Sequence, residues 1–196
     1  RFQLQAAGHT VVQVSESRLS PGRLRTILSD SFAGAAPTAV VHLGSLSAAG
    51  TLDEGSLEAG LADGYDSVLC TVQAVAGMGY RDAPRLWLLT RGAQAVGTGE
   101  VSVVQAPLLG LARVVAMEHA ELRCGRIDLD PGSPAGETQS IVSELLADDS
   151  EDEIALRGGE RRVARIVNRL PEVGLRERSE PASGRSFRLE IEKPGV

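Results

Sequence analysis

The glycines that follow Thr90 are the residues of this chain best placed to do chemistry. Gly92, Gly97 and Gly99 sit between a strand-like apolar run and a helix-like one, the setting in which backbone amides at a helix amino terminus cradle a pyrophosphate. Their spacing departs from that use. A short-chain reductase needs Thr-Gly-x-x-x-Gly-x-Gly, whereas here Arg91 follows Thr90 and four residues separate Gly92 from Gly97. The loop also follows the third strand-like run, while a dinucleotide fingerprint opens the first βαβ unit. A phosphate-binding Gly-Lys-Ser/Thr ending is missing as well, so an ordinary surface loop is expected.

The other reactive side chains fare no better. Reducing a ketone by hydride transfer calls for a tyrosine acid with a nearby lysine that lowers its pKa. Tyr65 (GYDSV) and Tyr80 (GYRDAP) are followed by neither Lys nor Asn at the required spacing, and the one lysine of the chain is Lys193. Both tyrosines read as partly buried helix and loop residues. Asp128 and Asp130 alternate about Leu129 at a strand's carboxyl end, where they share a face and could reach one ligand. No third acid or histidine stands at metal-ligand spacing from them, so capping of the loop before Pro131 is expected. His9, His42 and His119 lack any ligand pattern, and Ser45, Ser47 and Ser102 lack a nucleophile elbow. Cys70 and Cys124 are too far apart for C-x-x-C and read as buried free thiols. No catalytic, cofactor-binding or metal-ligating residue is assigned.

The elements that would carry such groups follow from periodicity. His9 to Val14 (HTVVQV) is rich in β-branched residues and predicts a strand. Ser20 and Pro21 open a helix with Leu24, Ile27, Leu28 and Phe32 on one side, stopped at Gly34. Thr38 to Leu43 (TAVVHL) predicts a strand covered on both faces, and a capping box of Thr51 and Glu54 a helix with Leu57, Leu61, Val68, Val72 and Val75 on its buried stripe. Arg85 to Thr90 predicts a third strand. Pro107 enters a helix whose stripe is Leu108, Leu111, Ala112 and Val115, fading near His119. Arg126 to Leu129 is a fourth strand and Ile141, Val142, Leu145 and Leu146 mark a last helix, before an acidic connector from Asp148 to Glu153. Glu153 to Arg157 and Glu160 to Val167 flank Gly158-Gly159, a hairpin signal. Alternating strands and helices predict an α/β fold with a mainly parallel sheet flanked by helices.

Composition bounds the function. The 196 residues suit one principal domain with a substantial core, and 42% hydrophobic with 23% charged residues fits a packed globular chain. A net charge of −6 argues against nucleic acid as a partner. No apolar run of membrane-spanning length and no signal pattern is present, so a cytoplasmic setting is expected. From Pro171 to Arg185 the composition turns to Arg, Glu, Ser, Pro and Gly, as in a linker, and Phe187 to Ile191 alternates like a strand.

Two stretches carry a family likeness. Leu86 to Val96 (LWLLTRGAQAV) and Gln105 to Pro131 (QAPLLGLARVVAMEHAELRCGRIDLDP) resemble the amino-terminal subdomain of polyketide synthase ketoreductases, with its Thr-Arg-Gly-Ala strand exit, Gln-Ala-Pro-Leu helix start, Glu-His helix end and Asp-Leu-Asp-Pro exit. Ile154 to Val167 resembles the hairpin that closes the subdomain. The resemblance implies a truncated Rossmann-like, non-catalytic structural half without cofactor. The partner half would carry NADPH and the catalytic Ser and Tyr, and phosphopantetheine would reside elsewhere in a multidomain synthase. Phe187 to Val196 (FRLEIEKPGV) resembles the start of an enoylreductase, implying residues 1–170 as structural subdomain, 171–185 as linker and 186–196 as an enoylreductase-like start. The expected role is to stabilise and position the catalytic half in a reducing module, next to enoylreductase and dehydratase domains. A free-standing NADPH-dependent short-chain reductase and a stand-alone interaction module are the alternatives.

Overall fold

The computed structural model describes residues 1–16, 18–47, 54–97, 101–147 and 149–167. The chain divides into two units, Arg1–Ala164 and Arg165–Val196. Only residues 165–167 of the second are described, so the predicted linker, the Phe187 to Ile191 strand and Lys193 lie outside the described residues, as do Thr51, Gly99 and Asp148.

The first unit is an α/β domain built on one five-stranded sheet. Its strands are β1 (Ala39–His42), β2 (Arg85–Arg91), β3 (Gly125–Leu129), β4 (Glu153–Arg157) and β5 (Glu160–Val163), arranged in that order. β1 to β4 are parallel, and β5 returns antiparallel to β4 through Gly158 and Gly159, both at positive φ. Two adjacent residues at positive φ make the tight turn that suits the twist of a hairpin. The strand is shorter than the expected run to Val167, ending at Val163 with Ala164 N–H still donating to the Glu153 carbonyl at 3.2 Å.

Among the described residues six α-helices flank this sheet: α1 (Phe2–Ala6), α2 (Pro21–Ser31), α3 (Glu54–Gly60), α4 (Ser67–Ala76), α5 (Pro107–Glu118) and α6 (Glu137–Leu146). The Ser20 hydroxyl accepts from Arg23 N–H at 3.2 Å and Pro21 occupies the first turn, so α2 begins where the sequence places it. α2, α4 and α5 bury Leu24, Leu28, Val68, Val72, Leu108 and Val115 against Leu86 and Leu88 on one face of the sheet. On the other face Trp87, Leu89, Ile127, Leu129, Ile154 and Leu156 form a second core, covered by Ile141 and Leu145 of α6. Side chains alternate along β2, so one strand feeds both cores.

The chain advances across the sheet in one direction from β1 to β4, yet its crossover helices change face. α4 and α5 cross on the Leu86 face and α6 on the Trp87 face. The β3–α6–β4 crossover is therefore opposite in hand to the two before it, an exception to a nearly invariant rule.

Three predicted elements differ. Residues 9–14 carry no ladder and pair with no strand of the sheet. β1, expected to be covered on both faces, is an edge strand with half-buried side chains. The long amphipathic helix is interrupted by a π-helical stretch, Leu61–Asp66, between α3 and α4. A π turn inserts a residue and rotates the stripe, which leaves Val68, Val72 and Val75 buried but Leu57 and Leu61 exposed.

Trp87 fixes the packing of β2 on β3. Its ring lies where a side chain at Gly125 would stand, a Cβ there overlapping Trp87 Cζ3 and Cε3, and the Arg85 guanidinium stacks 3.9 Å from the ring centroid. Gly125→Ala is expected to cost about 1–3 kcal/mol through overpacking. Urea unfolding followed by the emission of Trp87, the single tryptophan, checks this through a lower midpoint and a shifted native spectrum.

Candidate functional site

In open parallel sheets the carboxyl ends of the strands are where ligands bind, and here β2, β3 and β4 end together around a buried charge. Asp128 has no solvent exposure. Register places it opposite Thr90 on β2 and Ala155 on β4, two residues short of Arg157. Asp128 Oδ1 accepts from Thr90 Oγ1 at 2.6 Å and Ala93 N–H at 2.8 Å, and Oδ2 from Gln94 N–H at 3.1 Å and from Arg157 Nη2. Arg157 also donates to the carbonyls of Asp128, Leu129 and Leu156 at 2.9–3.0 Å and of Gln94 at 3.2 Å. The carboxylate is thus held by a hydroxyl, two backbone amides and a guanidinium, the partners a buried anion needs.

The loop after β2 is bent to reach that carboxylate. Gly92 sits at φ +61, where a Cβ would meet Pro131 Cγ at 2.9 Å, so glycine is demanded by a left-handed turn packed against a proline. Gly92 N–H donates to the Leu129 carbonyl at 3.0 Å, and Ser102 N–H donates to the Gly92 carbonyl at 2.7 Å. A Cβ on Gly97, at φ +79, would meet nothing within 4 Å. The amides of Ala93 and Gln94, which could otherwise be offered to a phosphate, are engaged by Asp128.

Around this centre lies a ring of further pairs. Arg91 makes a two-pronged bond to Glu137 at the start of α6, at 2.8 and 2.7 Å, and also donates to the Asp130 carbonyl. Glu137 holds the Arg91 guanidinium pKa above its usual value. Gln105 Oε1 accepts from Arg91 N–H at 2.8 Å. Asp130 caps two turns, accepting from Gly132 N–H at 2.8 Å and Gly158 N–H at 2.6 Å, and these amide bonds lower its pKa. The pair of acids therefore divides. Asp130 caps the loop before Pro131 as expected, whereas Asp128 is the anion of a buried ion pair, not a loop cap. A shallow depression of about 30 Å³ lies beside Asp130, Glu137 and Leu156.

The remaining candidates stand apart. His42 Nε2 lies 2.6 Å from Ser67 Oγ, but that hydroxyl donates to the carbonyls of Asp63 and, at 3.1 Å, Gly64, so it is not a nucleophile awaiting a base. Ser45 Oγ donates to the Leu89 carbonyl and Ser47 Oγ to the Gly44 carbonyl at 2.7 Å. His9 is exposed and His119 Nδ1 stands 3.1 Å from Glu121. Tyr65 packs against the first core, and the Tyr80 hydroxyl is buried. Both cysteines are free and buried, and burial pushes the Cys124 thiol up to about 11. Among the described residues no group of acids, histidines and cysteines could hold a metal ion, and no helix is long and apolar enough to cross a membrane. Sequence reasoning does not single out Arg157 or Glu137. Their partners lie 29 and 46 residues away in sequence, and only the strand register brings them in.

Fold and network together define a Rossmann-like α/β domain whose strand ends are closed by internal ion pairs. The model of the Rossmann fold domain of the polyketide synthase extender module SpnB matches residues 4–166, and the chain belongs to that family. It is 38% identical over 140 residues to a phenolphthiocerol/phthiocerol polyketide synthase of Mycobacterium tuberculosis, a match covering 65% of this chain and 6% of that protein. It is 39% identical over 84 residues to the phthioceranic/hydroxyphthioceranic acid synthase of Mycobacterium bovis, covering 42% and 4%. Among solved structures it is similar to a C2-type ketoreductase from a modular polyketide synthase (TM-score 0.64, 28% identity, 81% of this chain and 34% of that one). It is also similar to A-type ketoreductases from a modular polyketide synthase (TM-score 0.63, 31% identity, 86% and 36%). The chain thus spans a small part of the synthases and about a third of the ketoreductases it matches.

Two tests follow from this geometry. Asp128→Asn strands the largely buried Arg157 charge and should cost about 3–5 kcal/mol, while the double change Asp128→Leu with Arg157→Met should cost clearly less than the two single changes summed. Urea unfolding of the unchanged chain, Asp128→Leu, Arg157→Met and the double variant measures the coupling. The second test concerns pH. Burial holds the His42 pKa down at about 4 in the folded chain, against an ordinary value of 6.5. Between these values the unfolded chain binds a proton that the folded chain refuses, so stability is full above about pH 7 and falls as pH drops. The loss between pH 7 and pH 5 should be about 2 kcal/mol, and His42→Gln should flatten it.

Proposed function

We propose that this chain is the non-catalytic structural half of a polyketide synthase ketoreductase, stabilising and positioning the catalytic half within a reducing module and doing no chemistry itself. The observation that carries the reading is the occupation of the Ala93 and Gln94 amides by Asp128, which commits the glycine-containing loop after β2 to an anion of the chain itself. The sheet order supports it. Strands β1 to β4 follow one another without reversal, so these strands form no switch-point crevice of the kind that takes a nucleotide. Neither tyrosine pairs with a lysine, since the sequence has one lysine, at position 193. NADPH and its catalytic residues belong, on this reading, to a partner half, and phosphopantetheine to another part of the synthase. The tail at 186–196, through its likeness to an enoylreductase start, supports a fully reducing module in which the enoylreductase separates the two halves.

The surface offered to the catalytic half is the outer side of α5, where Val114 is 47% and Met117 84% exposed and a Cβ on Gly110 would meet nothing within 4 Å. On this reading Val114 and Met117 form the apolar centre of the contact with the catalytic half. Calorimetric titration should give no saturable heat with NADPH or NADH. Co-expression with the catalytic half should raise that half's melting temperature and activity through the linkage of binding to folding, and Val114→Asp with Met117→Asp should abolish the gain while leaving this chain folded. Saturable micromolar NADPH binding, or a catalytic half equally stable and active alone, would overturn the reading.

A further inference from the structure

One buried cation of the first unit is short of partners. Arg126 stands in register with Leu88 and so faces the side of the sheet that α5 covers. It is 5% exposed, and its Nε and Nη1 atoms are buried without a hydrogen-bond partner among the described residues. The third nitrogen, Nη2, donates to Glu153 Oε2 at 2.9 Å. The other oxygen of that carboxylate, Oε1, accepts from Arg113 Nη2 at 2.8 Å. One acid at the start of β4 therefore serves two guanidiniums, one on β3 and one on α5, whose side chains are 6% and 62% exposed.

The two arginines need that acid unequally. A buried guanidinium with unbonded N–H groups is destabilising, and it pairs best with a carboxylate through two parallel bonds. The exposed pair of Arg113 with Glu153 contributes little, because water can take the acid's place at Arg113. Glu153 is thus divided between one partner that needs both of its oxygens and another that could do without them if a different anion stood at Arg113. Arg113 is also part of a surface. Gly110, Arg113, Val114 and Met117 fall at i, i+3, i+4 and i+7 on α5 and all are exposed, so the cation is set within the apolar stripe on the outer side of that helix.

We infer that the partner docking on this stripe brings a carboxylate to Arg113, and that Glu153 then turns both oxygens to Arg126, so that contact on the outside of α5 completes an ion pair beneath it. The inference rests on the proposed function, which supplies the catalytic half as that partner. It adds the chemistry of the contact, an acidic side chain flanked by apolar ones. Charge balance fixes the sign. The three bonded side chains of Arg113, Arg126 and Glu153 carry one positive charge in excess, and a cation desolvated at an interface needs an acid opposite it. Enclosure by the partner also removes the water that stands in for an acid at Arg113, so each guanidinium then requires a carboxylate of its own.

The test measures binding of the catalytic half by calorimetry. Arg113→Ala should weaken it at least about 10-fold, while the melting temperature of the free chain stays within about 1 °C. Arg113→Glu should weaken it about 100-fold, and one Asp→Arg or Glu→Arg change in the catalytic half should restore the affinity. A second readout follows Arg126 itself. In nitrogen-15 NMR its Nε–H should exchange at least about 10-fold more slowly in the complex than in the free chain. Glu153→Gln should lower the melting temperature of the free chain by about 5 °C or more and remove that slowing. Binding that Val114→Asp with Met117→Asp abolishes but Arg113→Ala leaves unchanged overturns the inference and leaves the scaffold role standing, as does Arg126 exchange that is equal in both states. A catalytic half that does not bind at all overturns both.

Discussion

The charge of Asp128 is the constraint around which the strand ends are organised. A carboxylate with no exposure to water is tolerated only when its oxygens are bonded and its charge is paired. Thr90, Ala93, Gln94 and Arg157 meet that demand from β2, from the loop that follows it and from β4. Satisfying one anion therefore fixes three pieces of chain. Arg157, in turn, is held over the sheet by four carbonyls as well as by the acid, so both terminal nitrogens of its guanidinium are engaged within the chain. The outer ring of Arg91 with Glu137 and of Asp130 with two turn amides ties α6 and the hairpin to the same centre.

This arrangement explains why glycine-rich character and missing cofactor spacing occur together at one loop. Gly92 is required, but by Pro131 and a left-handed turn, not by a phosphate. The bend it permits delivers two successive amides to an anion, which is the physics of a phosphate cradle. The anion is the protein's own. A sequence search for nucleotide spacing fails at this position because the geometry being served is internal and needs only one glycine where a pyrophosphate needs three.

Much of the fold was legible in the sequence because local signals and burial agree. α2 has its serine cap and proline, α5 has a stripe of four residues that are all buried, and β2 is an apolar run in the middle of a sheet. The signals failed where partners are remote or absent. The π stretch rotates Leu57 and Leu61 off a stripe whose spacing looked continuous. The β-branched run at residues 9–14 has strand propensity but pairs with no strand among the described residues, and propensity without pairing does not make a strand. Of the central charge network, Asp128 and Asp130 were visible as an alternating pair, but not their different fates. Side chains two apart on a strand share a face only while the strand continues, and Asp130 stands just past the end of β3, where its carboxylate turns to the loop amides of Gly132 and Gly158.

The change of hand between β3 and β4 bears on the same site. Had α6 crossed on the Leu86 face like α4 and α5, it would have crowded the face already filled by those helices and left Trp87, Ile127 and Ile154 without cover. Placed opposite, α6 buries that second face and brings Glu137, at its first turn, within reach of Arg91. An acid in the first turn of a helix is favoured by the helix dipole, and here it also neutralises an arginine at the strand end. The start of α6 is thereby committed to a carboxylate and guanidinium of the chain itself. Crossover hand and the buried Asp128 thus act together: α6 covers the second core, and its first turn joins the ring of charges around the Asp128–Arg157 pair.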